Sequence, residues 1–481
     1  MNNLVSTISI IIIVINIAFI ITAVFFERKK PVQALSWVIT LYLLPLIGFF
    51  LYLLFGRRSY RQYSHKVFKS SAKIPYGKEI RVPEYTGEEM KQLMRLNAAT
   101  SRSPYTDNND VTIYTSARDK YAELFKDLEE ARDSIHLLYF ILQNDNIGKK
   151  LIDLLAKKAG EGVEVRVLID HGSNLFMPFR AYSPIIKNGG EVFSYFSNTI
   201  NNYLKINFRN HRKIVVIDGK TGYTGGINIG DEYLGLHKKV KPWRDTHLKI
   251  TGSSVLDLQL RFIEDWLYAS KQASEKFDNR RYFPEIEGRR DTSGTAGTGS
   301  TTGIQIVSSG PDTNGEEIKR GLLKLINSAK QKILIQTPYF VPDAAFLEAL
   351  QNAALSGVEV CIQLPGVPDK QYVYKATMSY VADVLDYGIK IYLYPGFLHA
   401  KMLVVDDFCG VVGTANIDMR SFSLNFEIDA FMYGEEIAGR CTNIFDTDLK
   451  ICRRLTREEF SRRSVFSRVA ENVFRLFSPI L

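Results

Sequence analysis

HRKIVVID at residues 211–218 and HAKMLVVD at residues 399–406 both fit the pattern His-x-Lys-x-x-x-x-Asp. The agreement continues downstream, because a glycine follows each histidine after 14 residues (Gly225, Gly413) and an asparagine follows after 17 (Asn228, Asn416). The chain has only seven histidines in 481 residues, so two chance matches are improbable. The repeated pattern therefore indicates a duplicated functional unit.

The spacing within each motif suits a β-strand. A histidine and a lysine two residues apart project from the same face of a strand. The four apolar residues that follow, IVVI or MLVV, would bury the rest of the strand, and the aspartate comes where a turn begins. Two such units packed face to face would bring two imidazoles and two ammonium groups to one phosphate. We therefore predict as catalytic residues His211, Lys213, Asp218, His399, Lys401 and Asp406.

The segments before each motif also recur. One copy runs from a helix near 121–132 to a strand GVEV at 162–165, and the other from a helix near 317–329 to GVEV at 357–360. Helices that alternate with short strands predict an α/β fold, and the two long copies indicate duplication rather than a solenoid. Both copies carry a Tyr-Phe pair in an apolar strand, at 139–140 and 339–340.

The first 56 residues predict a two-helix transmembrane hairpin. The runs at 4–26 and 32–55 carry no charge and are each long enough to span a bilayer of about 30 Å. A cleaved signal peptide is disfavoured, since the start has no basic residue and no small-residue cleavage site precedes the second run. Seven basic residues lie at 57–78 against three at 27–31, which predicts a multi-pass protein of the cell membrane with a cytoplasmic catalytic part.

Composition fits a membrane-bound enzyme but does not identify one. The formal net charge is +9, which favours either nucleic acid or an anionic membrane surface as a partner. The four cysteines form no CxxC pair or Cys/His cluster, so neither a disulfide framework nor a structural zinc site is predicted. The segment DTSGTAGTGSTTG at 291–303 reads as a linker between the copies.

The double motif resembles that of the phospholipase D superfamily, whose fold is two pseudo-symmetric α/β halves that share one site. WRDTH at 243–247, the run GTANIDMRSFSLNFE at 413–427 and the apolar N-terminus are similar, more narrowly, to bacterial cardiolipin synthases. Gly226 stands where many relatives have serine, which puts one hydroxyl contact in doubt.

The resemblance implies a fold of two phospholipase D-type halves, each a β-sheet flanked by helices, after the hairpin. The predicted divisions are a hairpin at 1–56, a basic juxtamembrane segment at 57–110, a first half at 111–275, a linker at 276–303 and a second half at 304–481.

The resemblance also implies roles for the site residues. His211 would be the nucleophile and His399 the acid and base, although the sequence alone leaves that order open. The lysines would hold the non-bridging phosphate oxygens. The supporting residues would be Asn228 and Asn416, as further hydrogen-bond donors, and Asp245 and Glu427, as the carboxylates that orient His211 and His399.

The expected reaction is reversible phosphatidyl transfer between two phosphatidylglycerol molecules, which gives cardiolipin and glycerol through a phosphohistidine intermediate. The chain would act on phosphatidylglycerol within anionic membrane lipid and would need no metal or cofactor. Alternatives are a phospholipase D hydrolase, a transferase like phosphatidylserine synthase, or an inactive membrane scaffold. A nuclease has little use for membrane spans, so no nucleic-acid partner is expected, and the oligomeric state is left open.

The last twenty residues predict an amphipathic helix. Apolar residues recur at spacings of three and four between 462 and 477, with arginines largely elsewhere. Two interpretations stay open: the helix closes the core of the second half, or it lies on the lipid surface.

Overall fold

The computed structural model describes residues 2–26, 31–56, 87–174, 177–195, 207–236, 240–272, 281–286, 301–313 and 316–479. The basic residues at 57–78 and most of the predicted linker at 276–303 lie outside this described part. The linker as predicted also extends too far, because Thr302 and Gly303 belong to a strand.

The N-terminal apolar runs form helices. Their bounds are α1 (Asn2–Ile21), α2 (Pro31–Leu43) and α3 (Pro45–Leu51). The second run is interrupted at Leu44, where the backbone leaves the helical conformation just before Pro45. Among the helices of the described residues, none combines the length and apolar character that crossing a bilayer requires.

The first half contains one long strand followed by alternating helices and strands. A helix, α4 (Glu88–Ser101), precedes it and packs against the core of the second half. The elements of the first half are β1 (Thr106–Tyr114), α5 (Ala117–Glu130), β2 (Ser134–Tyr139), α6 (Asn146–Gly160), β3 (Glu164–Asp170), α7 (Ser183–Lys187), β4 (Glu191–Tyr195), β5 (Arg209–Asn210), β6 (Ile214–Ile217), β7 (Thr221–Gly225), β8 (Trp243–Arg244), β9 (His247–Thr251) and α8 (Val255–Ser270).

The second half repeats this order. Its elements are β10 (Thr302–Ser309), α9 (Glu317–Asn327), β11 (Lys332–Gln336), β12 (Phe340–Val341), α10 (Ala344–Leu355), β13 (Glu359–Pro365), α11 (Gln371–Leu385), β14 (Lys390–Tyr394), β15 (Phe397–Leu398), β16 (Met402–Val405), β17 (Cys409–Gly413), β18 (Ile417–Asp418), α12 (Met419–Ser423), β19 (Asn425–Tyr433), α13 (Glu435–Leu449), β20 (Arg453–Leu455), α14 (Arg457–Ser461) and α15 (Val465–Arg475).

One continuous sheet joins the halves, in the order β20-β14-β13-β11-β16-β17-β19-β10-β1-β9-β7-β6-β2-β3-β4. The order is mirrored about the antiparallel pair β10–β1, with β11 matching β2 and β16 matching β6. In each half the motif strand lies antiparallel to the first βαβ strand, which itself pairs in parallel with the next. The predicted α/β fold with two related halves is therefore confirmed.

Helices cover both faces of this sheet, so the fold has three layers. On one face α5 and α6 close a core in the first half, and α9, α10 and α11 close a separate core in the second. On the other face α8 and α13 cover a core that runs through both halves, from Ile214 to Val404. This shared core holds the two motif strands in a fixed relation.

The Tyr-Phe pairs do not occupy equivalent positions, contrary to the sequence prediction. Leu138 lies opposite Ile214, and Gln336 lies opposite Met402. Ile214 and Met402 are each the fourth residue of their motif, so Leu138 and Gln336 are equivalent. Tyr139 therefore matches residue 337, and the second Tyr-Phe pair lies two residues further along.

Candidate active site

The first residue of each motif is attached to the other half of the molecule. β5 pairs in parallel with the start of β19, and β8 pairs in parallel with β15. At the ends of these pairings the His211 backbone N–H donates to the Phe426 carbonyl at 2.9 Å, and the His399 N–H donates to the Arg244 carbonyl at 2.6 Å. Phe426 and Arg244 each directly precede a predicted orienting carboxylate, so the attachment brings that carboxylate to the histidine of the other half.

The two histidine–carboxylate pairs are crossed between the halves. Nδ1 of His211 lies 2.9 Å from Oε2 of Glu427, and Nδ1 of His399 lies 2.6 Å from Oδ2 of Asp245. The order of the residues along the chain would pair Asp245 with His211 and Glu427 with His399. The structure shows the exchanged pairing. All four residues are buried, and in each ring the hydrogen bond at Nδ1 leaves Nε2 as the nitrogen available for chemistry.

The two carboxylates have different supports. Glu427 accepts hydrogen bonds from the Thr414 hydroxyl at 2.6 Å and from Nδ2 of Asn425 at 3.1 Å. Gly226 occupies the place in the first half that Thr414 holds in the second, and a Cβ there would lie 1.9 Å from Oδ1 of Asp245. The glycine that departs from the family pattern is thus required by the position of Asp245.

The two motif lysines are buried beside the histidines. Lys213 Nζ donates to the His211 carbonyl at 2.9 Å, and Lys401 Nζ donates to the His399 carbonyl. Burial lowers the pKa of both ammonium groups, to about 8 for Lys401, and the charge of Lys401 lowers that of Lys213 further. Since no described carboxylate forms an ion pair with either lysine, the site is suited to an anionic ligand.

The electrostatic surroundings of the two histidines are unequal. Burial and the charges of Lys213 and Lys401 lower the pKa of His211 well below its usual value, whereas burial and Lys401 lower that of His399 to about 4. Burial raises the pKa of Glu427. Burial also opposes ionisation of Asp245, but the charges of His399 and Lys401 outweigh it and lower the pKa of this carboxyl. The carboxyl group beside His399 is therefore more readily ionised than the one beside His211.

The motif aspartates lie outside this cluster and bond to backbone N–H groups, so a catalytic role for Asp218 and Asp406 stays a prediction that their positions do not support. Asp218 accepts hydrogen bonds from the backbone N–H groups of Arg132, Asp133 and Ser134 at 2.8–3.0 Å. Asp406 accepts from those of Lys330, Gln331 and Lys332, each at 2.8 Å. A strand of four residues, about 13 Å long, separates each aspartate from its lysine.

Both motif aspartates have positive φ values, 54° for Asp218 and 49° for Asp406. This left-handed conformation is one that aspartate tolerates better than most residues. The aspartates therefore fix the turn after the motif strand and tie it to the loop that enters the neighbouring strand.

The two asparagines have partners within the protein. Asn228 accepts from the Ile141 N–H at 3.2 Å and donates from Nδ2 to the Tyr233 hydroxyl at 3.0 Å. Asn416 hydrogen-bonds to Asp418; burial raises the pKa of that carboxyl, and the hydrogen bond from Asn416 partly opposes the rise. The predicted role of both amides as phosphate donors stays a prediction.

Aromatic rings that the motif did not identify border the two imidazoles. The Phe140 ring meets the His211 ring edge-on at 4.6 Å between centroids, and the Lys213 ammonium lies 5.4 Å from the Phe140 centroid. Trp243 lies 5.5 Å and Phe397 5.6 Å from the His399 ring. The sequence signal for Trp243 was its place two residues before Asp245, and nothing in the sequence marked Phe397. Within the described part of the chain no three His, Cys, Asp or Glu side chains are arranged to hold a metal ion.

Comparison with known proteins gives consistent results. The family described as "Cardiolipin synthase, PLD-like domain" matches residues 124–240 and 322–449, and "Phospholipase_D-nuclease N-terminal" matches 14–57. The chain is 41% identical to the major cardiolipin synthase ClsA of Bacillus subtilis, over 97% of this chain and 98% of that protein. It is 42% identical to a cardiolipin synthase of Staphylococcus aureus, over 97% and 95%.

Among solved structures, the phosphatidylserine synthase of Haemophilus influenzae superposes with a TM-score of 0.61 at 15% identity, over 81% of this chain and all of that one. At this identity the likeness concerns the fold alone.

Proposed function

Because the chain belongs to the cardiolipin synthase family of PLD-like proteins, we propose that it transfers a phosphatidyl group from one phosphatidylglycerol molecule to another, with release of glycerol. The observation that carries the proposal is the crossed arrangement of two histidine–carboxylate pairs around two buried lysines. Such an arrangement offers two imidazoles and fixed positive charge to a single phosphodiester.

In the first step Nε2 of His211 attacks the phosphorus of the donor lipid. The bond from phosphorus to the glycerol headgroup breaks, and His399 gives its proton to the departing oxygen, so that glycerol leaves and a phosphatidyl–histidine remains. In the second step His399 takes the proton from a headgroup hydroxyl of the second phosphatidylglycerol. That oxygen attacks phosphorus, the phosphorus–nitrogen bond breaks, and cardiolipin forms. One phosphodiester replaces another, so the reaction is reversible.

The unequal pairs support this order of roles. A nucleophilic imidazole must be neutral, and burial together with the charges of Lys213 and Lys401 lowers the pKa of His211 well below its usual value. An acid–base imidazole must hold a proton for part of the cycle, and ionised Asp245 favours the protonated form of His399. An anionic phosphodiester in the site would raise the proton affinity of His399 further.

Lys213 and Lys401 would hold the non-bridging oxygens, where negative charge persists through both steps. Their burial strengthens this interaction, since charges attract more strongly away from water. The aromatic rings around the histidines would limit the access of water, which otherwise would hydrolyse the intermediate to phosphatidic acid.

We also propose that residues 4–26 and 32–55 anchor the enzyme in the cell membrane as a hairpin, with the catalytic halves on the cytoplasmic side and in contact with anionic lipid. Support comes from the two uncharged runs, from the match of the N-terminal family at 14–57 and from the outward apolar side chains of α1 to α3. Examples are Val14, 61% exposed, Leu35, 60%, and Phe50, 60%. The basic residues at 57–78 would meet anionic headgroups beside the anchor.

The function is tested by incubating the purified full-length chain with phosphatidylglycerol as the only lipid substrate. Cardiolipin and glycerol in equal amounts are the expected products, and phosphatidic acid as the sole product would refute the transferase proposal. His211→Ala and His399→Ala should each abolish turnover. His136→Gln is the matched control, because this buried imidazole packs against Phe262, away from the crossed pairs.

A further inference from the structure

The C-terminal helix α15 and the turn after it expose a continuous apolar face. Phe466 is 88% exposed and Leu476 is 79% exposed, and the face is completed by Val465, Val469, Val473 and Phe477. At 3.6 residues per turn these six positions fall within an arc of about 120°. Single exposed apolar residues are ordinary on a protein surface, but six on one helix face indicate a binding surface.

The opposite, mainly polar face of α15 packs against the protein. Glu471 is buried and pairs with Arg463, and Ser467 donates to Glu471 at 3.0 Å. Arg475 forms an ion pair of 2.5 Å with Asp383 of α11, and its guanidinium lies 4.2 Å from the ring centroid of Tyr380.

The helix therefore directs its polar face toward the protein and its apolar face outward, which is the reverse of a helix that closes a core. Of the two interpretations left open by the sequence, closure of the core by the apolar stripe is wrong. Only Phe474, which lies on the inward side, packs against the core of the second half.

The net positive charge around the exposed apolar face favours an anionic partner. Between residues 451 and 481 the chain has seven arginines against three glutamates and no lysine or aspartate. Arg462 and Arg468 are exposed beside the apolar face. A second copy of the chain would bring the same positive charge to this surface, whereas an anionic membrane would neutralise it.

We propose that α15 lies in the surface of an anionic bilayer, with its apolar face among the acyl chains and its arginines at the headgroups. This is a second membrane contact, separate from the N-terminal apolar segments. α15 packs along α11, and α11 begins directly after Lys370, whose charge acts on His211. The contact would therefore hold the element that borders the active site at the lipid surface.

The full-length chain in nanodiscs tests this proposal with a tryptophan placed on the helix. Phe466→Trp is compared with Leu355→Trp, because Leu355 is also apolar and 68% exposed but lies at the end of α10. The discs contain phosphatidylserine, so the readout does not depend on turnover of phosphatidylglycerol. Brominated acyl chains quench tryptophan within the bilayer, and difference spectra against the unsubstituted chain remove the signal of the native tryptophans.

We expect bromolipid quenching and a blue-shifted emission for the tryptophan at position 466 and neither change for that at position 355. The additional substitution Arg468→Gln should reduce the quenching at 466 in phosphatidylserine discs. Equal quenching at the two positions would overturn the proposal. Conversion of a dimer into a monomer by Phe466→Glu, seen by sedimentation in detergent, would also overturn it, because a second copy would then cover this face.

Discussion

Asp245→Asn should impair the acid–base step and leave the nucleophile intact. This expectation follows from the crossed pairs, since Asp245 contacts His399 and belongs to the same half as His211. Glu427→Gln should have the complementary effect and weaken nucleophilic attack by His211. Pairing within one half would predict the reverse assignment, so the two variants decide between the two arrangements.

The magnitude follows from the contact that is lost. The bond between Nδ1 of His399 and Oδ2 of Asp245 is 2.6 Å long and buried. A hydrogen bond to a charged group contributes about 1.5–3 kcal/mol. At about 1.4 kcal/mol for each factor of ten, its loss from the transition state should slow turnover of phosphatidylglycerol by about 10- to 150-fold.

The assay replaces the donor by the p-nitrophenyl ester of phosphatidic acid. Nitrophenolate leaves without being protonated, so formation of the phosphatidyl–histidine no longer needs His399. Asp245→Asn and His399→Ala should then still release one nitrophenolate per site in a rapid burst, although later turnovers are slow. Glu427→Gln and His211→Ala should show a slow burst or none.

The opposite pattern would refute the crossed mechanism. A burst that persists in Glu427→Gln but disappears in Asp245→Asn would mean that Asp245 serves the nucleophile. Circular dichroism and thermal unfolding of all four variants in the same detergent control for loss of folded protein.

Three further predictions concern charge, space and stability. Burial lowers the pKa of Lys213 to about 7 and that of Lys401 to about 8, so both ammonium groups lose their protons as pH rises, and kcat/KM for phosphatidylglycerol should fall beyond about pH 7. In Lys401→Arg the part of this decline near pH 8 should disappear while the part due to Lys213 remains, and an unchanged decline near pH 8 would assign that part to another group. Gly226→Ala should reduce initial rates of glycerol release about as much as Asp245→Asn does, because the new Cβ would lie 1.9 Å from Oδ1 of Asp245. Gly439→Ala, which has open space around its new Cβ, should retain the full rate. Equal rates in the two variants would contradict the geometry. Asp218→Ala and Asp406→Ala should each lower the free energy of unfolding by about 1–3 kcal/mol in chemical denaturation, because hydrogen bonds to backbone N–H groups are lost. The folded fraction should keep its turnover. Loss of turnover in fully folded protein would support a catalytic role.

Much of the site could be predicted because the motif spacing is a local property. Strand periodicity places His211 and Lys213 on one face, and a repeat of the same spacing gives the second pair. The crossed pairs could not be predicted in this way. They depend on the short pairings β5–β19 and β8–β15, in which strands of two residues meet across the two halves. Strands so short leave no periodic signal in the sequence.

The motif aspartates show that a regular spacing in the sequence does not by itself identify a residue's role. Their constant distance from the histidine indicated catalysis, but a constant distance is equally required of a residue that fixes the turn after a strand. Only the hydrogen bonds of Asp218 and Asp406 to backbone N–H groups separate the two explanations. The Tyr-Phe pairs misled for a related reason, since identical letters in two copies need not share a register, which the strand pairings determine.

The two identical motifs have different surroundings although the fold is pseudo-symmetric. His247 pairs with Gly225 across β7 and β9, and Asp429 takes the corresponding place opposite Gly413 across β17 and β19. Burial, together with the nearby charge of Glu427, raises the pKa of Asp429 to about 7.

The carboxyl group that holds His211 therefore has a second buried acid beside it, whereas the one that holds His399 has an imidazole. Two neighbouring acids resist ionising together, and a weakly ionised carboxyl does little to stabilise an imidazolium. In the proposed mechanism, the lowered pKa of His211 suits attack on phosphorus, and the ionised carboxylate beside His399 suits proton transfer. The two carboxylates therefore differ in their surroundings although the motifs are alike: burial raises the pKa of Glu427, and Asp429 stands two residues after it where His247 follows Asp245.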